Sequence, residues 1–338
     1  MLDIATLEKF DQQEMYKVYD KWSDIAVEAF ISKQKPVNFK NIKHIVFAGM
    51  GGSGAIGDMF SSILSKTKIH VNVVKGYLLP QTVTTDSLVI ATSVSGNTSE
   101  TLSIIYAAHK IGCKIIVFSS GGKMQKYCID NNIEYRMIPK NHSPRASFTS
   151  YLYSMLNILH NTLDIKKQDI IESLEYLKKI SNNINSDNLT KNNKSLKLAE
   201  WISGVPVIYY PFGLQSAAIR FKNSLQENVK LHAMTEDIIE SSHNGIVSWE
   251  IDSNVQPILI KGHDDYIKTK ERWEILKEYF CEKGIKYYEI DSVNGSILSK
   301  LICLIYMLDY ATIYKAAQNN IDPSPVKSID FLKEKLKD

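Results

Sequence analysis

The sequence predicts an α/β protein made of two domains, each a doubly wound parallel sheet. Three observations carry this. The chain has 338 residues and is 44% hydrophobic, enough for two ordinary cores at roughly 150 residues per domain. Short apolar runs alternate with helical patterns in both halves, which is the βαβ signature. Between the halves lies a polar, asparagine-rich stretch, residues 181–194, with no sustained periodicity.

Residues 1–22 are polar with apolar side chains (Leu7, Phe10, Met15, Val18, Trp22) at loosely helical spacing. No run approaches the roughly 18 apolar residues of a membrane span, so the segment reads as neither signal peptide nor anchor. Residues 45–48, 69–74, 88–92 and 114–118 read as short buried strands, with helices at 55–65, 99–111 and 122–131. An amphipathic helix is expected after Ser143-Pro144-Arg145, through Met155 to about Leu163, and another over 170–180. The second half repeats the logic, with strands at 205–210, 255–261 and 285–290 and helices at 215–228, 265–281 and 296–317. The expected division is an N-terminal domain over 1–165, a connecting helix and linker over 166–195, and a C-terminal domain over 196–338.

Composition excludes several function classes. With 40 basic and 37 acidic residues the net charge is +3, which gives no case for nucleic acid or an anionic membrane surface. Cys113, Cys128, Cys281 and Cys303 are far apart and fit neither a zinc ligand set nor a disulfide framework, so a reduced cytoplasm is expected. The eight histidines contain no H-x-H or H-x-x-x-H pair. The chemistry is therefore expected to be acid/base, without metal or cofactor.

Two loops stand out, Gly49-Met50-Gly51-Gly52-Ser53-Gly54 and Ser93-Val94-Ser95-Gly96-Asn97-Thr98-Ser99-Glu100. Each follows an expected strand and opens an expected helix, so both belong at one edge of a parallel sheet. There they offer backbone N–H groups, hydroxyls and helix N-termini to an anion. A phosphate monoester suits them; the Lys-Ser/Thr ending of a nucleotide P-loop is missing. Gly49, Gly51 and Gly54 also satisfy G-x-G-x-x-G, but the second strand ends on Lys75, where a dinucleotide site wants an acid for the ribose. A purely structural glycine turn is the plain alternative. Against it, Ser93, Ser95, Thr98 and Ser99 place four hydroxyls within seven positions, more than a surface turn requires.

These loops, with Ser143-Pro144-Arg145-Ala146 after them, resemble the sugar isomerase (SIS) fold, and the whole chain resembles the bifunctional phosphoglucose/phosphomannose isomerase family. The resemblance continues through Arg220-Phe221-Lys222-Asn223, Gln226-Glu227-Asn228, Ser242-His243-Asn244 and Asp322-Pro323-Ser324-Pro325-Val326. It implies two SIS-type domains that interconvert glucose 6-phosphate, and mannose 6-phosphate too, with fructose 6-phosphate through a cis-enediol. It further implies a homodimer with the site between domains. Positions matching Gly52, Ser53, Ser93, Ser95 and Thr98 hold the sugar phosphate, and Arg145 stands beside the reacting carbons. Glu227 moves the proton between C1 and C2. His243, contributed by the partner subunit, and a C-terminal lysine assist ring opening; Lys333 is the best match among Lys327, Lys333, Lys335 and Lys337. Ser324 stands where the family often has Thr and is a candidate for substrate specificity.

The residues also make chemical sense by themselves. Aldose–ketose isomerisation needs one base that takes a proton from one carbon and returns it to the next, and a carboxylate can serve both steps where water is excluded. Glu227 falls on an expected helix with Arg220, Asn223 and Lys230 at spacings that could cluster them on one face, and the bland reading is a solvated, salt-bridged surface. His243, in Ser241-Ser242-His243-Asn244-Gly245, suits an exposed loop more than a core. Only Arg136, Arg145, Arg220 and Arg272 are arginines, so a planar cation at Arg145 is a mild sign of need, with a helix-start arginine as the alternative. Two other readings remain. A non-catalytic sugar-phosphate-binding SIS module would have no use for Glu227 and His243. A different SIS-fold isomerase, using ammonia, would normally bring an amide-hydrolysing domain.

Overall fold

The computed structural model describes residues 2–336. Three short helices, α1 (Ile4–Phe10), α2 (Met15–Asp20) and α3 (Trp22–Phe30), precede β1 (His44–Ala48). Then come α4 (Gly51–Leu64), β2 (His70–Val74), β3 (Leu88–Ser93), α5 (Ser99–Ile111), β4 (Lys114–Ser119), α6 (Gly122–Asp130) and β5 (Glu134–Met137). Three helices follow, α7 (Phe148–Leu159), α8 (Lys167–Ile184) and α9 (Lys194–Trp201), leading to β6 (Val205–Tyr210) and α10 (Gln215–Ser224). A π-helical turn (Leu225–Val229) continues α10 and leads to β7 (Met234–Asp237), α11 (Ile238–Ser241) and a 3-10 turn (Gly245–Glu250). Last are β8 (Val255–Lys261), α12 (Ile267–Glu282), β9 (Tyr288–Asp291), α13 (Ile297–Gln318) and α14 (Lys327–Leu336).

Both sheets are parallel throughout, as expected: β2-β1-β3-β4-β5 and β7-β6-β8-β9. The two strands that apolar runs did not reveal, β5 and β7, are edge strands. A short edge strand is only half covered, so its residues (Glu134-Tyr135-Arg136-Met137 and Met234-Thr235-Glu236-Asp237) need no continuous apolar run. By contacts the chain divides into two compact units: Lys21–Ile171 with the segment from Pro325 onward, and the residues up to Asp20 with Glu172–Ser324.

In the unit holding the first sheet, β3 is buried along its whole length, and Val46, Val89, Ala91 and Val117 meet Leu102, Ile105 and Met124 in one cluster. The helix expected after Arg145 is α7, and eleven of its twelve residues are buried, which makes it a core helix. Trp22 on α3 closes over its start, stacking on Phe148 at 6.2 Å and donating its indole N–H to the Ala146 carbonyl at 2.9 Å. That bond lets a buried polar N–H be satisfied without water.

In the unit holding the second sheet, Trp249 stacks edge-on against Phe280 and donates to the Tyr209 hydroxyl at 2.7 Å. The long helix α13 is apolar and long enough to cross a membrane by length and composition, but 94% of its apolar stretch is buried within the protein. It is the spine of this unit. Tyr306, Tyr310 and Tyr314 stack along it, and their hydroxyls reach the Tyr19 carbonyl at 2.6 Å, Asp20, and the Ile184 carbonyl at 2.7 Å. The asparagine-rich stretch is ordered by the same helix. Asn193 is wholly buried, accepts from the Leu196 N–H as the N-cap of α9, and donates to the Ile184 carbonyl.

Asp11 is a buried acid in this unit. One oxygen accepts from the Tyr16 N–H at 2.7 Å, the other has no hydrogen-bond partner, and burial pushes its carboxyl up to about 6, with Asp322 adding repulsion. The folded state therefore holds this proton more tightly than the unfolded chain. Its contribution to stability is complete below about pH 4 and is lost as pH rises through about 6, on the order of 3 kcal/mol at most. Asp11→Asn should remove this component. Urea midpoints measured at pH 4.5 and pH 7.5 should rise for the variant relative to wild type at the higher pH; a difference that does not change with pH would contradict the assignment.

Candidate active site

Glycine and hydroxyl loops form a candidate anion cradle at the carboxyl edge of the first sheet. α4 begins at Gly51, four residues earlier than the apolar pattern suggested, so the glycine loop is itself the first helical turn. Neither α4 nor α5 has a side-chain cap on its N-terminus. Uncapped N-termini leave backbone N–H groups for an anion. The loops are tied together: the Val94 N–H donates to Ser53 Oγ at 3.3 Å, and Ser93 Oγ bonds Thr98 Oγ1 at 2.9 Å while accepting from the Gly96 N–H at 3.2 Å.

The hydroxyls divide by exposure: Ser53 and Ser93 are buried, Ser95 is exposed and Thr98 half-buried, and Ser95 Oγ also accepts from the Asn97 N–H at 3.2 Å. Ser99 donates to its neighbour Glu100 and stands apart from the cradle. Arg145 is 5% exposed and belongs to the same cluster, because Gly52 packs against the backbone there: a Cβ on Gly52 would lie 3.1 Å from the Pro144 carbonyl oxygen and 3.3 Å from Arg145 Cα. Arg145 precedes α7 by three residues, so it is not a helix-start residue.

One supporting loop escaped the sequence reading. After β4, Ser119-Ser120-Gly121-Gly122 buttresses the serine loop: Ser120 Oγ donates to the Val94 carbonyl at 2.6 Å, and Asn97 Oδ1 accepts from the Lys123 N–H at 2.9 Å. Gly96, at φ +68°, sits so close that an added Cβ would lie 1.8 Å from the Gly121 carbonyl oxygen. The signal was the run of small residues after the fourth expected strand.

In the other unit, Glu227 lies half-buried on the π-turn that follows α10. Arg220, expected on one face with Asn223, Glu227 and Lys230, does not lie on a solvated surface: it is 3% exposed and pairs with Asp309 on α13, its Nε and Nη2 donating at 2.9 and 2.6 Å, and the Glu227 carboxylate adds to the negative charge that favours the guanidinium. Burial pushes the Asp309 carboxyl up while the Arg220 guanidinium and the Ser224 hydroxyl pull against it. Lys230 ends the turn in a left-handed conformation (φ 60°), its ammonium donating to the Glu227 carbonyl and, at 3.5 Å, to the Pro323 carbonyl. Lys230 therefore brings the Asp322-Pro323-Ser324 turn beside Glu227. Ser324 is 9% exposed, with its N–H donating to Asp322 Oδ1.

His243 is exposed on the turn after α11, a helix capped by Asp237 through the Ile239 and Glu240 N–H groups. Lys333 is exposed on α14, as are Lys327 and Lys335, while Lys337 lies outside the described residues. Neither His243 nor Lys333 is drawn into a cluster with the residues above by any hydrogen bond among the described residues. No group of three or more His, Cys, Asp or Glu suited to a metal occurs among them either.

Comparison with known proteins decides the family. An SIS domain matches residues 38–160, and a bacterial phospho-glucose isomerase C-terminal SIS domain matches residues 191–336. The chain is 31% identical to a bifunctional phosphoglucose/phosphomannose isomerase of Aquifex aeolicus, over 96% of this chain and 99% of that one. The chain belongs to the bifunctional phosphoglucose/phosphomannose isomerase family. A member from Caldicellulosiruptor bescii is 32% identical, over 94% of this chain and 97% of its own length. In fold, the chain is similar to a hypothetical protein of Thermus thermophilus, with a TM-score of 0.72, 13% identity, and coverage of 99% of this chain and 89% of that one. Among members of this isomerase family the chain is thus matched end to end, with both SIS domains accounted for.

The division of hydroxyls generates a test. Replacing both Ser95 by Ala and Thr98 by Val should weaken inorganic phosphate binding, followed by NMR titration, about tenfold or more, since each hydrogen bond to a charged group contributes about 1.5–3 kcal/mol. Ser99→Ala should leave it within about twofold. Equal losses in the two variants would contradict the assignment.

Proposed function

We propose that this chain interconverts glucose 6-phosphate and mannose 6-phosphate with fructose 6-phosphate by proton transfer through a shared cis-enediol. The observation that carries the reading is the end-to-end match to relatives named for both isomerisations. The cradle supports it chemically, offering hydroxyls and two uncapped helix N-termini to one phosphate. Gly52, Ser53, Ser93, Ser95 and Thr98 hold the phosphate alike in ground and transition states, so they set affinity.

Glu227 acts as the base. It removes the C2 proton of the aldose, leaving an enediolate, and returns a proton to C1; the reverse sequence makes the aldose. Glucose 6-phosphate and mannose 6-phosphate differ only at C2, and that difference vanishes in the planar intermediate, so one carboxylate serves both once the sugar turns about C2–C3. Ser324 leaves room for that turn and keeps a hydroxyl. Arg145 stabilises the negative oxygens that exist only after proton removal, the place where a fixed cation contributes most. His243, supplied by the partner subunit of a homodimer, and Lys333 assist ring opening. The four cysteines are free, which supports a reducing, cytoplasmic setting.

Glu227→Gln should keep sugar-phosphate affinity and lose turnover by about 10²–10⁴-fold, equally on glucose and mannose 6-phosphates, while wild-type activity survives a strong chelator. A chelator or a Glu227 change that removes one activity and spares the other would contradict the shared enediol. Mixing Glu227→Gln subunits with His243→Ala subunits should restore activity as heterodimers form, because one site then holds both native groups. No recovery in verified heterodimers would place both residues in one chain's site.

A further inference from the structure

We infer that Asp309 and Thr312 on α13 are positioning residues for Glu227, clamping both flanks of the π-turn that carries it. The inference rests on the reading of Glu227 as the proton-transferring base. A π-turn is rare and costs regular hydrogen bonding, so it persists where its surroundings hold it, often at functional sites. Here the surroundings are specific. On the N-terminal flank, Ser224 donates to Asp309 Oδ1 at 2.7 Å. On the C-terminal flank, Asn228, adjacent to Glu227, donates through Nδ2 to Thr312 Oγ1 at 2.7 Å, and Thr312 Oγ1 itself donates to the Asp309 carbonyl at 2.6 Å.

All four side chains are buried, Ser224 at 4% exposure and the others at none. Buried hydrogen bonds of this kind have no water to exchange with, so they fix the backbone between them. Asp309 has a further task. It takes both Nε and Nη2 of Arg220, with Tyr19 completing its shell at 3.3 Å, and so ties the last turns of α10 to α13 just before the π-turn begins. Glu227, half-buried, projects from a backbone held on both sides. A base that must serve C1 and C2 in turn is sensitive to placement, and an error of about 1 Å costs on the order of 10²-fold.

Asp309→Asn strips a buried guanidinium of its counter-charge and is expected to impair folding, so the decisive variants are milder. Thr312→Val keeps shape and removes the acceptor for Asn228; Ser224→Ala removes the other anchor. Each should lower kcat about tenfold or more on both aldose phosphates with KM within about twofold, and should raise the primary isotope effect with C2-deuterated substrate. Thr312→Ser, which retains Oγ, should recover kcat to within about threefold of wild type. A role in stability alone would lower the unfolding midpoint and leave kcat per folded enzyme and the isotope effect unchanged, which would overturn the inference. Should Glu227→Gln itself turn over normally, the base assignment fails and the inference with it. Should Glu227→Gln be inactive while Thr312→Val and Ser224→Ala keep wild-type kcat and isotope effect, the inference alone fails.

Discussion

A guanidinium removed from water needs a carboxylate within reach, and Arg220 and Asp309 meet that requirement at the centre of one unit. Neither has appreciable exposure, at 3% and 0%. Such a pair is weak evidence for net stability, because desolvation offsets most of the attraction; breaking it from one side, however, costs about 3–5 kcal/mol. Its effect is to select one arrangement. α10 must meet α13 at this register, Tyr19 from the N-terminal segment must approach the same carboxylate, and the chain beyond Ser224 must leave α10 where the π-turn begins.

The two sheets share a winding order, with the strand order reversing at β1 in one and at β6 in the other. In open α/β sheets such switch points at the carboxyl edge are where ligands bind. The first sheet fills that edge with glycines and hydroxyls whose backbones approach more closely than a Cβ allows. The second follows β6 with Pro211-Phe212-Gly213, which offers no comparable hydroxyls, and the proposed base Glu227 lies further along the chain, after α10. The proposed anion-holding groups and the proposed acid/base group thus come from differently built loops on similar frameworks.

Much of this was legible in the sequence. The interior strands were, because a strand covered on both faces must be apolar along its length, and residues 205–210 and 255–261 match β6 and β8 end to end. The placement of the glycine and serine loops was legible because each lies between an apolar run and a helical pattern. The edge strands β5 and β7 were not, since half-covered strands carry charged residues. The burial of Arg220 was not either: an Arg followed by Lys222, Asn223 and Glu227 reads as a surface, and its partner Asp309 lies 89 positions away in an apolar helix. The π-turn left no trace in apolar spacing, because its anchors are polar side chains that reach across to α13. Asp309 and Thr312, two polar residues inside the long apolar helix α13, were the available signal.

One carboxylate, acting through a shared enediol, is proposed to serve both isomerisations. The most direct measurement starts from fructose 6-phosphate in deuterated water and follows deuterium at C2 of each aldose product by mass spectrometry and NMR. Proton transfer through an enediol exposes the moving proton to exchange on the base, so both glucose 6-phosphate and mannose 6-phosphate should carry solvent deuterium at C2. Incorporation into one product, with the other carrying at C2 only hydrogen moved from C1 of the ketose, would show two separate routes and contradict a shared enediol.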